Sequence, residues 1–175
     1  MIRRTNDWLS ERDVSFSDRL RFAEERRLRR IVAIAITHSA DGLPFLIFLA
    51  LLYLLGSPEW RVRVILLLLA DLLTFLVVQT LKFLIRRSRP VGEWGQMYRR
   101  MDPFSFPSGH SARGGAMATM GIIAGPPWFA VLLAVWGVMV AFSRILLGVH
   151  YVSDAMGGFA LGVTLSLAIA FILLA

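Results

Sequence analysis

Cysteine is absent from these 175 residues, which excludes disulfides, thiolate metal sites and a cysteine nucleophile and leaves the redox compartment open. Acid is scarce, with twelve Asp and Glu against nineteen basic residues, for a formal charge of +7. Lysine is scarcer still: Lys82 stands alone among eighteen arginines, so a compact ammonium at that one position has the look of a requirement. A cleavable leader is not expected, because Met1 to Arg30 is charged throughout, with nine arginines and six acids. Repeats and low-complexity tracts are missing too. What remains is apolar: 57% hydrophobic residues and a mean hydropathy of +0.64, against an ordinary globular content of ~45–50%. The composition is that of an integral membrane protein. Basic clusters beside its spans point to anionic headgroups as partner, ahead of nucleic acid.

Along the chain, Ser17 to Thr37 reads as a basic helix lying in the membrane interface, arginines at the headgroups and apolar residues beneath them. Ile31 to Ala40 alone supplies only ~15 Å of helix, half of a ~30 Å hydrocarbon core. His38, Ser39, Asp41, Gly42 and Pro44 then interrupt the pattern; Asp41 is expected to cap the next helix and His38 to sit at the headgroups, with substrate binding the alternative. Leu43 to Leu55 is apolar, and Trp60 after the Gly56–Glu59 turn suits an interfacial aromatic belt. Further spans are expected at Val62 to Ile85, from Pro107 to Gly125, at Trp128 to Leu147 and at Ala155 to Ala175. Asp71, inside the first of these, is expected to bond a neighbouring helix or to tune a site from below. Gly121/Gly125 and Gly158/Gly162 have the spacing of close helix contacts. The fold class is therefore all-α: a polytopic membrane bundle of about five spans plus an N-terminal interfacial helix. Residues 1–40 form the basic segment and 41–175 the membrane domain, multi-pass in a plasma (inner) membrane.

The parity of the spans gathers the polar residues. Lys82 and Arg89 leave one span, Ser108 and His110 enter the next, Arg144 leaves the fourth, and His150 and Asp154 enter the last, so all fall on one membrane face. Charged groups at such depth are costly unless they serve a site. A phosphoryl group in transfer spreads charge over three oxygens and calls for preorganised cations and backbone donors. Lys82 and Arg89, two helical turns apart, and Arg144 supply the cations; Ser108-Gly109 at a helix start adds a hydroxyl, close backbone approach and aligned amides. His150, four residues before Asp154, would be oriented by that carboxylate on a helical turn and is the candidate nucleophile; His110 is the candidate acid for the leaving oxygen. Metal binding is the rival chemistry, but two histidines and one aspartate amid cations make a poor divalent site, so no metal or other cofactor is expected.

Lys82-x6-Arg89-Pro90, Pro107-Ser108-Gly109-His110 and Ser143-Arg144-x5-His150-x3-Asp154 together resemble the three-part signature of the type-2 phosphatidic acid phosphatase superfamily, in order and with its internal spacings. The resemblance implies a metal-independent membrane lipid phosphatase. It assigns Lys82, Arg89, Ser108, Gly109 and Arg144 to phosphate, His150 to a phosphohistidine intermediate, His110 to the acid and Asp154 to orientation. Substrates it implies are isoprenoid diphosphates such as undecaprenyl pyrophosphate, placed first, then phosphatidate, phosphatidylglycerol phosphate or lipid A phosphates. Vanadium haloperoxidases share the same phosphate-binding residues, and a non-catalytic lipid-binding protein is the reading from another class.

Overall fold

A computed structural model describes residues 3–21, 27–91 and 102–174. The regular elements among these described residues are seven helices: α1 (Arg3–Leu20), α2 (Arg27–Ser39), α3 (Gly42–Leu55), α4 (Pro58–Ile85), α5 (Gly109–Ala124), α6 (Pro127–Leu146) and α7 (Val152–Leu174). Local chemistry sets their ends. Pro58 and Pro127 open α4 and α6, where a fixed φ suits the first turn and no N–H is wasted. Ser108 caps α5, its hydroxyl accepting from the Ser111 amide at 3.4 Å. Helix α4 stops at Arg86, which turns left-handed at φ 52°.

The short α5 is the axis of the bundle, wrapped by α4, α6 and α7. Its 16 residues rise only ~24 Å, less than a hydrocarbon core, yet nearly all of Ser111 to Gly121 is buried. Glycine lets its neighbours come that close. A Cβ on Gly162 would stand 2.0 Å from the Ala112 carbonyl oxygen, one on Gly158 2.3 Å from that of Ser108, and one on Gly114 2.7 Å from that of Gly137. The Gly158/Gly162 pair thus makes the helix contact its spacing suggests. Of the other pair, Gly121 packs on Leu133 of α6 and Gly125 is the C-cap of α5. Phe45, Leu49, Leu67, Met117, Met120 and Leu133 fill the core between α3, α4, α5 and α6, while large apolar side chains such as Leu55, Leu84, Val131 and Phe171 face outward as a lipid-exposed surface.

Three helices, α4, α6 and α7, are long and apolar enough to cross a membrane, and α2 with α3 passes the same test as one span bent by 61° at its break. The central α5, of 16 residues, falls outside that test, so among the described residues three spans, or four with the bent pair, stand where about five were expected. At one end of the bundle Trp60 packs on Trp128 and edge-on against Phe129, with Arg63 over its ring at 5.0 Å.

The N-terminal part differs from expectation. Ser17 to Thr37 is not one helix: α1 ends at Leu20 and α2 begins at Arg27. Nor does Ser17 face an interface, since it is fully buried and its Oγ accepts from the Val152 amide at 3.0 Å. The first amides of α7 need acceptors, and α1 supplies them from a distant part of the chain. That contact outweighs a free amphipathic lie and puts α1 at the end of the bundle where α7 begins.

Candidate functional site

At that end Lys82, Arg89, Gly109, His110, Arg144 and His150 line one cavity of 480 Å³, shared with His38, Asp41, Gly42 and Asp102. Lys82 comes from the last turn of α4, Arg89 from the loop beyond it, Arg144 from the last turn of α6 and His110 from the first turn of α5. Of the residues singled out from the sequence, Ser108 sits just behind the cavity at the α5 cap and Asp154 behind His150; both are fully buried.

His150 stands outside any helix, in the loop between α6 and α7, so the helical turn expected to join it to Asp154 is not there. Gly148 at φ 64° reverses the chain, and the Arg144 carbonyl gathers the Val149 and His150 amides at 3.2 and 3.3 Å. The pair still meets: His150 Nδ1 lies 3.5 Å from Asp154 Oδ2. That is ion-pair range and long for a hydrogen bond. Asp154 Oδ2 accepts from the Tyr151 amide at 2.9 Å, and its Oδ1 from Arg87 Nη1 at 2.6 Å. On the other side of the ring, His150 Nε2 is 3.1 Å from Arg89 Nη1. A guanidinium only donates, so Nε2 holds a lone pair and the ring proton sits on Nδ1, toward Asp154. Burial, followed by the charges of Arg89, Arg144 and Lys82, pushes the His150 imidazolium pKa well below its ordinary value. A neutral imidazole with its lone pair among three cations is the form a nucleophile for a phosphate requires.

The acids around the site are what spacing does not reveal. Asp102 accepts from Arg89 Nη2 at 2.8 Å and, through the same oxygen, from Lys82 Nζ. Arg89 Nε also donates to the Asp102 carbonyl, at 2.7 Å. Arg87, which belongs to no part of the motif, joins Asp154, Ser153 and Asp13 of α1, each at 2.6 Å, and stacks over Tyr151 at 4.3 Å. Asp71 does bond a neighbouring helix: Arg113 of α5 grips it at 2.7 and 3.0 Å and donates to the Ala40 carbonyl at 2.6 Å. Asp41 is a correction. It has the backbone of an N-cap but its side chain caps nothing; instead it binds His110 Nε2 at 2.7 Å and His38 Nδ1 at 2.6 Å. Only the three-residue step from His38 to Asp41 hinted at a pair. Residues Gly92, Trp94, Gly95, Arg99 and Arg100 of the loop before α5 lie outside the described residues.

The model of the PAP2 superfamily matches residues 63–174 of the chain. Phosphatidylglycerophosphatase B of Bacillus subtilis is 36% identical over 35% of this chain and 36% of its own length. The undecaprenyl-diphosphatase of Sulfolobus acidocaldarius is 34% identical over 34% of this chain and 29% of its own. These matches thus span about a third of either relative. Among solved structures, the transmembrane PAP2 type phosphatidylglycerolphosphate phosphatase from Bacillus subtilis superposes with a TM-score of 0.75 at 26% identity, over 94% of this chain and 85% of that one. Aquifex aeolicus LpxE shares the fold, with a TM-score of 0.71 at 21% identity, over 88% of this chain and 92% of its own.

Proposed function

The chain belongs to the PAP2 superfamily, and from that premise we propose that it is a membrane lipid phosphatase. Its reaction would be hydrolysis of the phosphomonoester or diphosphate of a membrane lipid through a phosphohistidine. The observation that carries this reading is the convergence of Lys82, Arg89, Arg144, His110 and His150 on one cavity. Lys82, Arg89, Arg144, the Ser108 hydroxyl and the Gly109 backbone bind the phosphoryl oxygens. His150 Nε2 attacks phosphorus in line, and the bond to the leaving oxygen breaks as His110 delivers a proton to it. Asp154 holds the Nδ1 proton as positive charge grows on the ring. Water then attacks the phosphohistidine, His110 takes its proton, and phosphate leaves with both histidines restored. The cations supply the charge that a metal would otherwise bring.

Residues 41–175 form the phosphatase domain in this reading, and residues 1–40 a basic segment that meets anionic headgroups of a plasma membrane. Isoprenoid diphosphate heads the substrates, supported by the undecaprenyl-diphosphatase relative, and phosphatidylglycerol phosphate follows, supported by the Bacillus subtilis structure. Phosphate release by the purified protein in detergent, across undecaprenyl diphosphate, phosphatidylglycerol phosphate and phosphatidate, tests it. Turnover and an acid-labile phosphoenzyme are expected, both abolished in His150→Ala. His110→Ala keeps some phosphoenzyme with a good leaving group. An unchanged level of trapped label in His150→Ala overturns the assignment of the nucleophile.

A further inference from the structure

The break between α2 and α3 is put to no use in that mechanism, yet side chains of α5 and α6 hold it in place. Irregular backbone within a crossing survives where it is buried in protein or lines a polar cavity. Three bonds tie this break down. Thr37 Oγ1 meets Ser143 Oγ at 2.6 Å, Trp136 Nε1 donates to Ser39 Oγ at 2.9 Å, and Arg113 Nη1 donates to the Ala40 carbonyl at 2.6 Å. Arg113 is itself anchored on Asp71 of α4. Three helices thus fix residues 37–40, and with them the place where Asp41 enters the cavity.

We propose that Asp41 is a positioning residue for the acid step, holding His110 by Nε2 so that Nδ1 faces the leaving oxygen. This rests on the phosphatase reading above. Asp41 lies outside the matched residues 63–174 and outside all three parts of the motif. One carboxylate oxygen accepts from His110 Nε2 and the other from His38 Nδ1, so the group is held at both ends and cannot swing away to cap α3. Among the described residues Nδ1 of His110 bonds to nothing, which leaves it for the oxygen that departs. An acid must be protonated before it can act. Lys82, Arg89 and Arg144 line the same cavity, Arg113 stands one turn along α5, and all four oppose a further positive charge on the ring. A carboxylate 2.7 Å from Nε2 works against them, offsetting part of what burial and these charges cost the imidazolium. Asp41 serves His110 as Asp154 serves His150, from a helix break in place of a helix start.

Two substrates with different leaving groups separate orientation of an acid from mere support of the fold. Dioctanoyl phosphatidate expels an alkoxide that needs the proton, whereas p-nitrophenyl phosphate expels a phenolate that does not. In Asp41→Asn, kcat for the phosphatidate is expected to fall about 10²-fold, the lower end of what general acid catalysis contributes. The burst of p-nitrophenol that accompanies phosphoenzyme formation should keep its wild-type rate, while the phosphoenzyme itself builds up, because His110 also takes the proton of the incoming water. His110→Ala should show the same split more strongly, and Asp41→Glu should recover part of the lost rate. Equal loss in the rate of phosphoenzyme formation from both substrates, with or without a lowered thermal midpoint in detergent, overturns the proposal, as does no loss on either. Wild-type protein that hydrolyses neither substrate defeats the phosphatase reading itself. Wild-type turnover that vanishes in His150→Ala, with no split in Asp41→Asn, defeats this inference alone.

Discussion

Asp102 Oδ2 accepts from both Lys82 and Arg89, two of the three cations assigned to phosphate. A carboxylate and a phosphoryl oxygen ask the same thing of a guanidinium, so Asp102 competes with the substrate for these donors. Asp102→Asn is expected to lower the concentrations at which vanadate and inorganic phosphate inhibit, by roughly three- to tenfold, the worth of about one hydrogen bond. Weaker inhibition would mean that Asp102 organises the cations more than it competes for them. The second residue-scale expectation concerns pH. The His150 imidazole is held neutral by burial and by Arg89, Arg144 and Lys82, so its protonation needs more acid than the ~6.5 of a free histidine. The acidic limb of kcat/KM, which reports the free enzyme, should therefore fall well below that value for a substrate whose own phosphate does not titrate there. A limb centred at or above it would contradict the neutral, lone-pair form of the ring.

At the scale of elements, the start of α7 is assembled by the start of the chain. Asp13 Oδ1 accepts from the Ser153 amide at 3.1 Å, and Oδ2 from Arg87 Nη2 at 2.6 Å and from the Ser153 hydroxyl. Arg87 in turn reaches Asp154. Asp13 is therefore joined to His150 through Arg87 and Asp154. Asp13→Asn loses charge-assisted bonds worth ~1.5–3 kcal/mol each and should lower kcat by about tenfold with KM little changed, measured on a saturating lipid substrate. A wild-type kcat would show that α1 is dispensable for the geometry of the α7 start. None of this was visible in the sequence, where Asp13 is one of six acids in a charged segment and the amphipathic pattern favours a membrane surface. The boundaries of α4, α6 and α7, in contrast, fall within a few residues of the apolar runs, because lipid on all sides demands long apolar stretches and Pro58 and Pro127 punctuate them.

At the scale of the molecule, α1 shares one end with the cavity, through Ser17 on Val152 and Asp13 on Ser153. The described start of the chain and the site therefore lie at the same end, and Arg61 and Arg63, at the start of α4, at the other. By the positive-inside rule that side is expected to face the cytoplasm. Single cysteines in this cysteine-free chain report it. Ser57 is exposed and suits the opposite end, but Ser17 is buried, so the exposed Glu11 is the probe for the site end. In intact cells an impermeant thiol reagent should label Ser57→Cys and spare Glu11→Cys; the reverse pattern places the cavity outside.

The sequence by itself determined the membrane class, the helical architecture and the set of groups able to handle a phosphate, because hydrophobic run length and a spaced motif are local properties. Span parity, also countable from sequence, brought the motif residues to one face. Only the tertiary structure decided which acids answer those cations and histidines. Asp13, Asp41 and Asp102 lie 74, 69 and 13 residues from their partners Arg87, His110 and Arg89, and no periodicity links positions brought together by a helix break, a returning loop and a docked N-terminal helix. Long-range pairing of that kind depends on where packed helices put their ends. A carboxylate does not announce its partner: at the surface it costs little, and in the cavity it is tolerated only because the fold delivers a cation or an imidazole to it.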